Sequence, residues 1–295
     1  MSASTLSLSR SPRPQGGLAG KVFRIAKGYT LNRILLVVSS AWVLIVLVCA
    51  IAPAMLSPDD PTELYPERVL QPPGANALLG TDHYGRSVVT LLIYGARTAV
   101  IIGLSATVIA LVVGTAIGLL AGYVGGVVDM LIGRLLDILM SFPGVLMALI
   151  IAAALGPTTR NLIIAVGVSA VPQFARVMRG QTMTVRSKLY VEAAKASGYN
   201  TPRIVFGHVL PNAIAPVVVL GTLTVGVSIV LTASLSFLGL GPKSLVPDWG
   251  QLLALGQPYL ASAWWISTFA GLALTVTVIA ISIMGDSLSD IIEKG

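Results

Sequence analysis

Long stretches free of Asp, Glu, Lys and Arg alternate along this chain with short charged ones. The uncharged runs cover Ile34 to Pro58, Thr98 to Val128, Ile138 to Thr159, Asn161 to Ala175, Ile204 to Pro242 and Trp249 to Gly285. A helix needs about 20 apolar residues to cross a bilayer. The pattern therefore predicts six spans, near 34–56, 98–123, 138–156, 161–178, 213–238 and 264–285. The fourth has only 15 uncharged residues between Arg160 and Arg176, and Pro172 interrupts them. Arg176 and Arg179 would complete it by reaching to the membrane edge.

Composition strengthens this reading, since 55% of the 295 residues are hydrophobic and 11% charged, too few for ordinary soluble packing. The fold class expected is an all-α membrane protein with six transmembrane helices, so both ends lie on one side. With residues 1–33 placed inside, the inner segments hold 14 of the 19 Lys and Arg and the outer ones five, while the 12 acids divide evenly. The positive-inside rule then puts both termini and the 176–208 segment in the cytoplasm of a multi-pass cell-membrane protein. Arg10, Arg13, Lys21, Arg24, Lys27 and Arg33, with no acid among them, read as a flexible basic tail near anionic lipid. The apolar run after that tail is long enough to span, which argues against a cleaved signal. Cys49 is the only cysteine and excludes an intramolecular disulfide.

The polar stretch Tyr190 to Pro211, YVEAAKASGYNTPRIVFGHVLP, lies between two spans. Ala193, Ala194, Lys195 and Ala196 favour helix, and Gly198 can take the left-handed turn that ends one. Thr201 can cap a second helix starting at Pro202, and Pro211 marks where that helix stops or bends. The expectation is two short helices joined by a tight corner at a membrane surface.

The spacing of Glu192-Ala193-Ala194, Gly198 and the ending His208-Val209-Leu210-Pro211 resembles the signature cytoplasmic loop of ATP-binding-cassette importer permeases. Other pieces resemble the second permease subunit of the dipeptide/oligopeptide/nickel branch, among the binding-protein-dependent inner-membrane components. They are Leu79-Gly80-Thr81-Asp82, Gly85-Arg86, Tyr94-Gly95-Ala96-Arg97, Ser141-Phe142-Pro143, Leu235 to Gly241, Pro247-Asp248-Trp249-Gly250-Gln251 and Gly285-Asp286-Ser287-Leu288. Ala77, Ser87 and Leu91 stand where that branch carries His, Asp and Arg. The resemblance implies a type I importer permease (MetI-like) core with an added N-terminal helix and an outside segment. In segments this gives a cytoplasmic tail 1–33, a first transmembrane helix 34–56, an external segment 57–97, a five-helix core 98–285 containing a coupling loop 186–211, and a cytoplasmic tail 286–295.

The resemblance also implies the partners: a homologous second permease, two ATPase subunits, an external solute-binding protein and membrane lipid, with no nucleic acid. Tyr190, Glu192, Ala193, Ala194, Gly198, Arg203, His208 and Pro211 would form the ATPase-docking loop, entering a groove on the ATPase as a helix enters a groove. Within it Glu192 would contact the ATPase or brace the loop, Ala193 and Ala194 would form the close-approach face, and Gly198 would form the corner. The cargo implied is a dipeptide or oligopeptide, with nickel or another small solute as the alternative; an ATPase-independent carrier or channel is the remote one.

The chemistry that is missing narrows the classes. No GxxxxGK[ST] string is present, so the chain is expected to be no enzyme and to hold no cofactor, ATP and Mg being bound by the partner ATPases. No span interior carries Asp, Glu or His, which disfavours an ion-coupled carrier, and no nucleophile, base and orienter set suggests a hydrolase. His83 and His208 fall on opposite sides and cannot share a metal. Asp129, Arg134 and Asp137 read as local helix support, the last two close enough to pair. Trp264 and Trp265 sit where an interfacial aromatic belt belongs. The weakly polar residues left in the spans are Ser105, Thr107, Thr115, Ser169, Gln173, Thr222, Thr224, Ser228, Thr232, Ser234 and Ser236. Most suit helix contacts, and which of them line a path is not legible at this level.

Overall fold

The computed structural model describes residues 18–57, 59–75 and 77–294, with side chains between 33 and 290. Among them five helices are long and apolar enough to cross a membrane, or six if one bent pair counts as a single span. The elements are α1 (Leu18–Ile51), α2 (Pro53–Leu56), α3 (Val88–Val124), α4 (Gly126–Ser141), α5 (Gly144–Leu155), α6 (Thr159–Arg186), α7 (Leu189–Ala196), α8 (Thr201–Ile204), α9 (Leu210–Ala213), α10 (Ala215–Phe237), α11 (Trp249–Gly256) and α12 (Trp265–Lys294).

Several expected boundaries move. The first helix begins at Leu18, so the basic segment is helical from there to Arg33; residues 1–17 lie outside the described ones. The helix expected at 98 begins at Val88 and runs 37 residues. The stretch expected to be one span at 138–156 is instead α4 and α5, bent by 88° at Phe142-Pro143. Pro143 fixes its own φ and biases Phe142 to extended backbone, which Phe142 adopts at φ −86° and ψ 135°. Pro172, by contrast, does not interrupt α6, which runs through it to Arg186. The C-terminal stretch from 286 continues α12 to Lys294 rather than forming a separate tail.

The core of the bundle is the pair α3 and α6. Ala106, Ala110, Gly114, Gly118 and Gly122 recur every fourth residue of α3, all buried. Four-residue steps keep these small groups on one stripe, and α6 lies directly on it. A Cβ on Gly114 would meet Phe174 Cβ at 2.4 Å, one on Gly118 the Ala175 carbonyl oxygen at 2.4 Å, and one on Gly122 the Arg179 carbonyl oxygen at 2.7 Å. Lipid chains are as apolar as leucine, so such helices gain from close van der Waals contact rather than from escaping water. Gly103 receives Ile229 of α10 in the same way, at 2.6 Å from a would-be Cβ. Helix α1 packs outside this core on α3 and α12, with Trp42 Nε1 donating to Thr277 Oγ1 at 3.0 Å.

Asp129 and Asp137 do not support α4 locally. Arg179 of α6 donates to both oxygens of Asp129, the Nη2 bond at 2.8 Å, and Arg176 pairs with Asp137. The expected Arg134–Asp137 contact is absent among the described residues, because α6 presents two arginines one turn apart to the same face of α4. Arg176 and Arg179 are thus ion-paired across helices.

Candidate functional site

The 187–214 loop is built on the end of the bundle where α3 and α6 finish. Just past the end of α7, Gly198 takes φ +77°, Gly198 N donates to Lys195 O at 3.0 Å and Tyr199 N to Ala194 O at 3.2 Å. That pair of bonds is a glycine-terminated helix end, and the corner sits at Gly198. No atom lies within 4 Å of a would-be Gly198 Cβ, so backbone conformation and not crowding selects glycine there. The cap of the next helix is Asn200, whose side chain accepts from Arg203 N at 3.2 Å; Thr201, expected in that role, is the first helical residue.

Pro211 does not end the helix. Val205–Val209 form a wide turn in which Leu210 N donates to Val205 O, and α9 carries on through Pro211 to Ala213. The wider turn shifts the hydrogen-bond register, so the proline's missing donor falls where the helix has already been rearranged. The side chain of Asn212 donates to the His208 carbonyl at 2.7 Å. The imidazole of His208 stacks on Tyr199 at 5.8 Å and 17°, and the Arg203 guanidinium stands 4.4 Å from the same ring. This stack ties the corner to the second helical segment.

The two faces of the loop differ sharply. Val191, Ala194, Ile204, Val209 and Ala213 turn inward and join Phe174, Met178 and Val185 of α6 and Leu119 of α3 in one buried cluster. Ala194, expected on the outer face with Ala193, is therefore part of the inner anchor. Outward point Leu189, 82% exposed, with Tyr190, Glu192, Ala193 and Gly198. The Glu192 carboxylate has no hydrogen-bond partner among the described residues, which leaves it available outward rather than as a brace. Arg203 and Pro211 are exposed beside this face.

At the other end of the bundle, the segment before α3 is fixed by a buried ion pair. Asp82 accepts from Tyr84 N at 2.9 Å and Arg86 N at 2.8 Å, and its second oxygen takes Arg86 Nε at 2.9 Å and Nη2 at 2.7 Å. Arg86 Nη1 reaches the Leu245 carbonyl at 2.9 Å, tying this segment to the one after α10. Gly85 (φ +78°) has no room for a side chain, a Cβ falling 1.9 Å from the Tyr65 carbonyl oxygen. Trp265 is buried and donates to the Thr81 carbonyl at 3.0 Å, while Trp264 is half-exposed. Leu91, where the resembling branch carries Arg, is fully buried among α1, α11 and α12 residues. Burial pushes the Asp248 carboxyl up, opposed by hydrogen bonds from Gln251 N, Ser236 Oγ and Gly250 N. Asp248 and Gln251 form a capping box on α11 that the sequence reading had not assigned, though the Asp-x-x-Gln spacing carried the signal.

Residues 114–295 match the family described as "Binding-protein-dependent transport system inner membrane component". The chain is 39% identical over 258 residues to the di/tripeptide transport system permease protein DppC of Pseudomonas aeruginosa, covering 85% of each. It is 40% identical over 263 residues to the dipeptide transport system permease protein DppC of Escherichia coli K12, covering 87% of this chain and 88% of that one. Among solved structures, a chain of the MetNI methionine ABC transporter in inward-facing conformations matches with TM-score 0.56 and 19% identity, covering 67% of this chain and 94% of its own. That likeness shows the fold alone.

Proposed function

The chain belongs to the binding-protein-dependent transport system inner membrane components, the permease subunits of ATP-binding-cassette importers, and from this we propose that it moves dipeptides or short oligopeptides into the cell. It is a membrane subunit and not itself an enzyme, hydrolysis in such importers belonging to separate subunits. In the proposed assembly it pairs with a second, homologous permease, two ATPases that bind ATP and Mg, and an external solute-binding protein. The 187–214 loop faces the cytoplasm together with both termini.

The observation that most supports this reading is the two-faced loop. Its inner side is continuous with the cluster on α3 and α6, while its outer side offers Leu189, Tyr190, Glu192 and Ala193 beside a conformationally fixed corner. An ATPase that grips the outer side moves α3 and α6 with it, because a buried apolar cluster transmits displacement rather than absorbing it. Closing and opening of the ATPases would thereby rock the bundle between outward-open and inward-open arrangements.

The test is uptake by the reconstituted importer, comparing labelled dipeptide and tripeptide with nickel. Peptide uptake that depends on ATP and the binding protein supports the proposal; uptake of nickel alone would replace the cargo. Gly198→Val tests the loop separately. It meets no neighbour, yet a β-branched residue at φ +77° is strained by about 1–2 kcal/mol or more. The variant should insert and assemble while uptake and solute-stimulated ATPase fall together; normal transport would refute the role given to the corner.

A further inference from the structure

Between α5, α6 and α10 lies a cleft of about 520 Å³, open toward the outside of the chain and reaching from Leu220 to Ser234 across the middle of α10. Its lining contains no Asp, Glu, Lys, Arg or His. Its polar members are four hydroxyl residues and one amide, and they differ in what they have left to offer. Ser169 Oγ donates to Val166 O at 2.8 Å, Thr224 to Leu220 O at 2.7 Å and Ser234 to Val230 O at 2.9 Å. Ser228 shares a bond of 3.3 Å with Thr107. These hydroxyls turn back on the helices.

Gln173 does not. It stands midway along α6, exposed, and its carboxamide has no hydrogen-bond partner among the described residues. Its neighbours Val171, Pro172, Phe174 and Ala175 are all buried, so the exposed position is set by the helix face and not by loose packing. A primary amide offers two donors and an acceptor, and hydrocarbon satisfies none of them. A residue at this depth needs water or another polar group opposite it.

From this geometry we infer that the cleft is the chain's own wall of the solute path and that Gln173 is the residue that pairs with the peptide groups of a passing solute. A carboxamide and a peptide group each carry an N–H donor and a C=O acceptor, so the match is independent of the solute's side chains. The absence of charged lining fits the same cargo, since a fixed charge would hold peptides of opposite sign and repel those of like sign. The inference rests on the importer reading above and names which surface of this chain the solute meets.

The test uses the complete importer in proteoliposomes, with Cys49→Ser as background because Cys49 is the only native cysteine. Gln173→Cys, and Val227→Cys on the facing side of the cleft, should react with a membrane-impermeant cationic thiol reagent, at rates that differ several-fold between nucleotide-free and ATP-trapped states. Reaction only with a lipid-soluble maleimide would place Gln173 against lipid, and reaction with neither would place it in a packed contact with the second permease; either result overturns the inference. In the second arm, Gln173→Leu should lower peptide uptake about tenfold, as expected for one lost hydrogen bond to the moving solute, while Gln173→Asn retains more. Solute-stimulated ATPase should persist in both. Unchanged uptake by Gln173→Leu would also overturn the inference. If the unaltered importer carries no peptide at all, the cargo assignment fails, and the labelling arm still decides whether the cleft is a water-filled path.

Discussion

Gly118→Ala is the smallest change that tests whether the glycine seam holds this bundle together. The new methyl would sit 2.4 Å from the Ala175 carbonyl oxygen and 2.8 Å from both Arg179 N and Met178 Cβ. Ordinary contact begins near 3.4 Å, so α3 and α6 must part by about 1 Å there. Two of the three obstacles are backbone, which cannot rotate aside. A gap of that size forfeits a quarter to a half of each van der Waals contact it opens, and overpacking of this kind costs about 1–3 kcal/mol. The flanking Gly114 and Gly122 lose their close approach with it, so the effect belongs at the upper end, about 2–3 kcal/mol or roughly thirtyfold to a hundredfold in the folding equilibrium. Gly180→Ala, on α6 with nothing within 4 Å of the new methyl, is the matched control. It should be neutral or gain about 0.5–1 kcal/mol from helix propensity. Thermal and denaturant unfolding of the purified protein in lipid nanodiscs reads both. Equal stability for Gly118→Ala and the unaltered chain, or a loss in Gly180→Ala as large as that at Gly118, would refute the seam as the source of cohesion.

Two further changes probe the opposite end. Asp82→Ala leaves Arg86 buried at 6% side-chain exposure without its carboxylate, and unpairing a buried charge costs about 3–5 kcal/mol; hydrogen exchange over residues 59–87 should rise sharply while the α3–α6 pair stays protected. Burial beside Tyr84 and Tyr259 holds the His83 imidazole below its ordinary 6.5, despite the opposing pull of Asp82. The folded state thus favours neutral His83, so its contribution is fully present above pH 6.5 and is lost as the pH falls through the lowered folded value. Protection factors in this segment, that is, exchange corrected for its slower intrinsic rate in acid, should fall on acidification from pH 7 to pH 5, and His83→Phe, which keeps the stacking, should flatten that response.

The helical membrane class and an approximate span count were legible because lipid imposes a length and an uncharged composition that a sequence displays directly. The corner at Gly198 was legible for a similar reason, since only one residue type adopts that backbone cheaply. What could not be read was which face of each element met which neighbour. Ala193 and Ala194 are adjacent and chemically identical, yet a turn of about 100° sends one outward and the other into the buried cluster. Asp129 and Asp137 looked local because sequence spacing reports neighbours on the same helix, whereas Arg179 and Arg176 lie 50 and 39 positions away. The continuous α6 shows the same limit: Pro172 reads as an interruption in isolation, but the helix runs unbroken through it, Pro172 buried and its neighbours Val171 and Phe174 packed in one cluster with Ala110 and Leu119 of α3.

Helix α6 is where these features converge. One of its faces fills the glycine seam of α3, a second carries Arg176 and Arg179 to the acids of α4, a third presents Gln173 to the cleft, and its final turns join the loop through Met178 and Val185. A displacement applied to the loop cannot be taken up between loop and helix, because Val191, Ile204 and Val209 are fully enclosed at that junction. Nor can it be taken up between α6 and α3, where backbone already touches backbone. The weaker of the two links from α6 to α4 is the exposed pair Arg176–Asp137, whose partners are both largely solvated. On the importer reading proposed above, motion driven at the loop would reach the cleft through α6 and carry α3 and the packed face of α5 with it.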